Sequence, residues 1–334
     1  MRLFRRNKKE DKKAASAAAA AKPKAKTVDD GDDKDMERPP STLPDIPPML
    51  PKLQPGRDVN FFIPKPDGEK LACTLIRSAD EKQRSNLIRV ETGGFVVDTS
   101  KPVIIFTHGH QSWRNQMLFP FLGAKLSDQV HCHSLRFDFT GNGHSTGPWR
   151  YADFEREAKD LERVVEFVRT EMKCRVLCLF GHSKGTHAVL DVARHEETNE
   201  SKDRIPYFVI ASARYRRPNQ LAQEERISSE QKEELQREGK ITLKHPMGPM
   251  FVLTMEDWEN CRDLDTTFVE HLEKAKFLVL HGTKDQAVPE EDAWDYRDYI
   301  PQNKTVIFDG ADHNYNGLKH IAEIVTLVAE LLRT

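Results

Sequence analysis

The residues best placed to do chemistry lie between Leu177 and Gly185, which read Leu-Cys-Leu-Phe-Gly-His-Ser-Lys-Gly. An apolar run ends abruptly at Gly181-His182-Ser183-Lys184-Gly185, and the helix-compatible stretch Thr186 to Ala193 follows. A serine at such a strand-to-helix junction is forced into a sharp turn that lifts its hydroxyl clear of both elements. Gly181 and Gly185 remove the side chains that would collide where strand and helix cross. The helix N-terminus behind the serine favours negative charge developing beside it. Ser183 is therefore a candidate nucleophile. A nucleophilic serine needs a base to take its proton and a carboxylate to orient that base.

Both partners are available downstream. The segment Leu280-His281-Gly282-Thr283-Lys284-Asp285 is an apolar strand running into a turn, with Pro289 placed to open the next helix. Phe308-Asp309-Gly310-Ala311-Asp312-His313 sets a histidine just past another strand. Asp285 is the expected acid and His313 the expected base. Asp292, Asp309 and Asp312 are the rival carboxylates. Asp312 is too close to His313 in sequence to sit behind its ring, and reads as a turn residue. His182 and His187 also neighbour Ser183, but the turn and helix fix their backbones, so they read as packing or pocket-wall residues.

Acyl transfer also needs donors aimed at the developing oxyanion. One is expected to be the backbone N–H of Lys184. The second is expected from the loop His108-Gly109-His110-Gln111, through the N–H of His110. The Lys184 side chain reads as a tether between neighbouring loops. Trp149, Phe251 and Trp258 are candidates to line an apolar acyl or aryl site, with core or cap packing the commoner fate of such residues.

These groups must be positioned by a larger frame. Val59 to Ile63 and Leu71 to Ile76 flank Pro66-Asp67-Gly68-Glu69 and predict a hairpin. Glu81 to Ser100 reads as a polar insertion with a weak strand at Phe95 to Val97. Strands are then predicted at Val103 to Thr107, His131 to Phe137, Arg175 to Phe180, Ile205 to Ala211, Lys276 to His281 and Lys304 to Phe308. Helical stripes lie between most of them, such as Asp153 to Thr170, and Leu318 to Leu332 closes the chain. Alternating strands and helices predict an α/β fold: a mostly parallel sheet covered on both faces. Arg214 to Phe268 is too long for an ordinary connection. Within it Pro218 to Gly239 predicts helices, Ile241 to Thr254 an extended excursion, and Glu256 to Leu264 a further helix.

Residues 1–56 have a different character. Arg2, Arg5, Arg6, Lys8 and Lys9 precede an alanine-rich stretch, an acidic cluster and a crowd of prolines, a composition expected to be a disordered tail. The remaining 57–334 is expected to form one domain. A net charge of −2 gives no global pull toward nucleic acid. No window approaches the ~20 apolar residues of a membrane span. Five cysteines without paired spacing point to reduced thiols and a cytoplasmic setting, with organelle targeting by the basic start as the minor alternative. Cys174 and Cys178 read as small buried residues, since no histidine or second pair stands at metal-ligand spacing. No metal or cofactor is expected.

The chain resembles the α/β-hydrolase superfamily, and more closely its cinnamoyl/feruloyl-esterase-like and serine-aminopeptidase-like branch. The resemblance is carried by Pro66 to Leu71, His108-Gly109, Arg136-Phe-Asp-Phe-Thr-Gly-Asn-Gly-His-Ser145, Gly181 to Gly185, His281 to Asp285 and Gly310 to His313. It implies the order nucleophile, acid, base along the chain, a cap over the site at about 214–268, and a structural role for Asp138 in anchoring the turn Thr140 to Ser145. The expected activity is hydrolysis of a small-molecule carboxylic ester, with a thioester second. An aminopeptidase, with Glu256, Asp257 or Glu259 meeting the substrate amine, is the alternative within enzymes. A non-catalytic binding protein is the alternative outside them. The chain departs from the family pattern at His110, at Thr186 and in the 81–100 insertion.

Overall fold

The structure is a computed structural model that describes residues 57–78, 86–115, 118–217, 227–244 and 250–333. The expected tail, residues 1–56, lies outside the described residues, as does the 218–226 part of the expected helical stretch.

The leading hairpin is β1 (Asp58–Pro64) against β2 (Lys70–Ile76), paired antiparallel with Asp58 opposite Ile76 and Pro64 opposite Lys70. The expected insertion is less polar than its composition indicates. β3 (Leu87–Val90) and β4 (Phe95–Asp98) form a second antiparallel hairpin, and Val90, Phe95 and Val97 are buried. Phe95 packs on Phe61 of β1 with ring centroids 4.9 Å apart. Strands of four residues are too short for their alternation to stand out against charged neighbours, which is why β3 escaped the sequence pattern.

Alternation then begins. β5 (Val103–Thr107), α1 (Phe119–Val130), β6 (His133–Phe137), α2 (Phe154–Thr170), β7 (Val176–His182), α3 (Gly185–Glu197) and β8 (Tyr207–Ala211) follow in order. β6 starts two residues later than expected because His131 takes a left-handed conformation, φ 53°, to end α1. After the long connection come β11 (Lys276–Gly282), α6 (Glu290–Tyr299), β12 (Asn303–Phe308) and α7 (Leu318–Leu331). Together they make one eight-stranded sheet in the order β1-β2-β6-β5-β7-β8-β11-β12. β6 through β12 in that order run parallel, and the leading hairpin enters antiparallel.

All seven residues of β7 are buried, as a central parallel strand covered on both faces requires. On one face Leu161, Val164 and Val168 of α2, Val189 and Ala193 of α3 and Tyr296 of α6 build the larger core. On the other, Phe119, Leu122 and Leu126 of α1 meet Ile324, Val325 and Val328 of α7. Between β8 and β11 the chain forms α4 (Ser229–Glu238), β9 (Lys240–Lys244), β10 (Met250–Thr254) and α5 (Met255–Asp263). The expected extended excursion is an antiparallel pair, β9 with β10. Both helices start from a capping box, Ser228 with Gln231 and Thr254 with Asp257. This segment has its own small core of Ile227, Leu235, Ile241 and Leu253.

Candidate active site

Ser183 stands between β7 and α3 with φ +52°, in the left-handed region where a residue with a Cβ is strained. Its N–H donates to Ala211 O of β8 at 2.9 Å, and its carbonyl accepts from the Thr186 N–H at 3.0 Å. The turn is as crowded as its glycines imply. A Cβ on Gly181 would come within 2.9 Å of the Thr186 Cα, and one on Gly185 would run into the His108 carbonyl.

His313 is brought to Ser183 from the loop after β12. Its Nε2 is 3.0 Å from Ser183 Oγ. Its Nδ1 is 2.8 Å from Asp285 Oδ2. An ionised carboxylate only accepts, so Nδ1 carries the proton and Nε2 is left with a lone pair facing the serine hydroxyl. Asp285 lies in the turn after β11, its side chain 1% exposed. Its Oδ1 accepts from the N–H groups of Ala287 and Val288 at 2.8 and 2.9 Å. Burial pushes this carboxyl up, but the hydrogen bond and charge of His313 together with the two amides outweigh it. The group is held below the usual carboxylate range.

Two of the three rival carboxylates are engaged elsewhere, and the third, Asp309, is exposed. Asp312 accepts from the Asn314 and Asn316 N–H groups at 3.1 and 3.0 Å, a turn role. Asp292 lies 3.4 Å from Arg214, and burial pushes its carboxyl up to about 6.

The segments carrying the two expected oxyanion donors both adjoin the serine. Lys184 is the N-cap of α3, so its N–H belongs to the positive end of the helix. The His108–His110 loop passes directly over the turn: a Cβ on Gly109 would meet the Ser183 Cβ at 3.0 Å. That loop is pinned by His108. Its Nδ1–H donates to Gly109 O at 2.9 Å, and its Nε2 accepts from the Phe139 N–H at 3.1 Å. Asp138 anchors the next turn. It accepts from the Arg114 and His144 N–H groups at 2.6 and 2.9 Å and pairs with the Arg114 guanidinium. The Lys184 side chain reaches Glu157 of α2 at 2.7 Å and lies over the Phe154 ring. Burial raises the Glu157 carboxyl while Lys184 pulls it the other way.

Of the three aromatic candidates, Trp149 and Phe251 gather at His110, with ring centroids 5.7 and 5.8 Å from its imidazole. Tyr151, which sequence reasoning passed over, joins them at 5.0 Å from His110 and stacks on Phe251 at 4.9 Å. Trp258, like Tyr151 and Phe251, packs against the small core of the inserted segment. Arg150 and Ala152 tie that segment to the loop carrying Trp149. Arg150 pairs with Glu256 at 2.6 Å, and the Ala152 N–H donates to Asp257 at 3.1 Å. The arginines that follow β8 are likewise engaged: Arg214 with Asp292, and Arg217 with Asp295 at 3.3 Å.

Sequence reasoning gave His182 a packing or pocket-wall role, and the structure gives it a bond. Its Nε2–H donates to the backbone carbonyl of His313 at 2.8 Å. The two residues stand 131 apart in the chain, so no local pattern announces the contact. His187, its companion in the sequence reading, packs edge-on to Phe154. Cys73, Cys132, Cys174 and Cys178 are free thiols, and all four are buried. Among the described residues no helix is long and apolar enough to cross a membrane.

Comparison with known proteins agrees with this architecture. A model of the alpha/beta hydrolase family matches residues 104–325. No curated protein matches the sequence. Among solved structures, the mouse alpha/beta hydrolase domain-containing protein 10 superposes with TM-score 0.60 at 17% identity, over 82% of this chain and 98% of that one. The Butyrivibrio proteoclasticus esterase Est1E with ferulic acid bound superposes with TM-score 0.57 at 19% identity, over 81% and 97%. An esterase domain from a Rhodothermus marinus protein gives TM-score 0.54 at 21% identity, over 83% and 97%. At such identities these likenesses speak for the fold. With the family model spanning most of the sheet and both ends of the inserted segment, the chain belongs to the alpha/beta hydrolase family.

Proposed function

We propose that this protein is a serine hydrolase that cleaves a carboxylic ester through an acyl-enzyme. The observation that carries the reading is the continuous chain of hydrogen bonds from Ser183 Oγ through His313 to Asp285, at 3.0 and 2.8 Å, with one tautomer of His313 allowed. Ser183 attacks the substrate carbonyl while His313 Nε2 takes its proton. Asp285 stabilises the imidazolium that forms. The Lys184 and His110 amides receive the negative charge of the tetrahedral intermediate. His313 then returns the proton to the leaving alcohol, and water, activated in the same way, releases the acid. No step calls for a metal or an organic cofactor.

The inserted segment acts as a cap in this reading, and Trp149, Tyr151 and Phe251 form the wall that a bulky acyl or aryl group meets. Trp258 supports that wall from behind. The peptidase alternative has less support. Glu256 is paired with Arg150, and Asp257 caps α5 and accepts from Ala152, so two of the three acids it would use are engaged.

The test is direct. The wild-type protein should hydrolyse p-nitrophenyl esters and be labelled covalently by a fluorophosphonate. Ser183→Ala should lose labelling and lower kcat by at least about 10³-fold with its melting temperature little changed. Turnover close to wild type in that variant would exclude Ser183 as nucleophile.

A further inference from the structure

Resting on the serine-hydrolase reading, we propose that His182 is a positioning residue. Its Nε2–H, together with the Ser212 hydroxyl, clamps the backbone carbonyl of His313 and so sets the approach of the His313 ring to Ser183.

His313 sits on a loop rather than within a strand or helix, and its ring must be held against both Asp285 and Ser183. The His313 carbonyl is where that loop is fastened to the interior. His182 Nε2 lies 2.8 Å from this oxygen and Ser212 Oγ 3.1 Å from it. Both side chains come from the ends of neighbouring parallel strands, β7 and β8, and both residues are buried, 3% and 0% exposed. Ser212 Oγ is also 3.2 Å from the Tyr315 hydroxyl, whose own proton goes to Leu280 O of β11 at 2.9 Å. The loop on either side of the His313 carbonyl is thus tied to three strand ends. Reacting groups displaced by ~1 Å lose about 10²-fold in rate, so the fastening has catalytic consequences.

The chemistry of His182 suits the task. Burial foremost, and the neighbouring His313 next, push its imidazole down to about 3, so the ring is neutral throughout the neutral range. A neutral imidazole carries one N–H. Its partner here is a carbonyl, which only accepts, so the proton is on Nε2. Neutrality has a second effect. The His182 and His313 rings meet edge to face with centroids 4.9 Å apart. A charged neighbour at that distance would oppose the imidazolium that forms on His313 as Ser183 attacks; a neutral one does not. On its other side, His182 Nδ1 backs the oxyanion loop, 3.3 Å from where a Cβ on Gly109 would stand. One side chain therefore spans the space between the loop that carries the base and the loop that carries an expected oxyanion donor.

Three variants test the clamp on p-nitrophenyl ester hydrolysis, with melting temperature measured alongside. His182→Leu removes the donor at similar volume, and His182→Gln restores an N–H near the Nε2 position. Ser212→Ala removes the second donor by deleting a single oxygen. We expect kcat to fall about 10- to 100-fold in His182→Leu with KM within about twofold, because substrate binding does not pass through the His313 carbonyl. His182→Gln should recover most of that loss, and Ser212→Ala should lose about three- to tenfold in kcat at unchanged KM. Wild-type kcat in His182→Leu, equal losses in the Leu and Gln variants, or a loss seated in KM would each overturn the clamp. If His182→Leu does not fold, Ser212→Ala decides, and an unchanged kcat there overturns it. A wild-type protein that neither hydrolyses esters nor reacts with a fluorophosphonate would sink the serine-hydrolase reading and the clamp with it. An active wild type matched by the His182 and Ser212 variants would sink the clamp alone.

Discussion

The strand ends that carry Ser183, Asp285 and His313 and the inserted segment between β8 and β11 are held together by different physics. β7 is buried along its whole length, and each of the three residues leaves a strand that shares the central sheet. In the insertion, β10 alternates exposed and covered residues, with Met250 59% and Val252 47% exposed, and four fully buried side chains make its core. Its ties to the loop at 150–152 are few: polar contacts through Arg150, Asp257 and Asn260, and the stack of Tyr151 on Phe251. The first region is placed by long-range apolar packing that tolerates little adjustment. The second is a small unit resting on a few polar contacts and one aromatic stack, with a core separate from the two that flank the sheet. On the proposed reading, the first region does the chemistry and the second sets substrate choice.

The sharpest way to break this comparison lies within the first region. Asp285→Asn should lower kcat by about 10³- to 10⁴-fold, because an amide cannot stabilise the imidazolium and favours the wrong tautomer of His313. Asp312→Asn, which alters only a turn, should cost less than about tenfold. The reverse ranking in folded proteins would show that the acid is misassigned.

Stability offers a second comparison, between two ion pairs of similar length. Lys184–Glu157 is enclosed, with side chains 11% and 12% exposed, whereas Arg150–Glu256 is open at 29% and 65%. Glu157→Gln leaves the Lys184 ammonium beside a neutral partner in the interior and should destabilise by about 3 kcal/mol. Glu256→Gln should cost below about 1 kcal/mol, since water and salt already screen that pair. Denaturant unfolding of both variants measures the difference. Equal costs would mean that the two regions are not held differently after all.

The smallest expected effect concerns selectivity. Phe251→Ala and Trp258→Ala should shift the ratio of kcat/KM between short and bulky aryl or acyl esters by about three- to tenfold. Fluorophosphonate labelling of Ser183 should survive in both, because a small probe needs only the serine, its base and the oxyanion donors. Phe251, whose ring meets that of His110, should have the larger effect, and Trp258, packed against the segment's core, the smaller. Loss of labelling in a folded variant would place the insertion within the machinery itself.

Much of this arrangement was legible in local sequence. The turn around Ser183 could be read because Gly181 is demanded by the immediately following helix, whereas the demand on Gly185 comes from the distant Thr107-His108 segment. The parallel strands could be read because buried runs such as Val103 to Thr107 stand out against their surroundings. Asp285 and His313 were legible as residues just past such runs, though four carboxylates competed for one role. What was missed has a common cause. β3 is too short to show a pattern, and the role of Tyr151 depends on a ring from β10, a hundred residues away. The bond from His182 depends on a carbonyl beyond the last strand.

Sequence alone therefore determined the elements and the kinds of group at their ends, because steric needs of turns and periodic burial act between neighbours in the chain. The tertiary structure decided which of those groups meet. Sheet order sets β7 beside β8 and β8 beside β11. That adjacency brings Asp285 rather than Asp292 or Asp312 to the His313 ring, and brings His182 and Ser212 to its carbonyl. Such choices rest on the packing of helices against both faces of one sheet, an interaction summed over the whole chain and written in no single stretch of it.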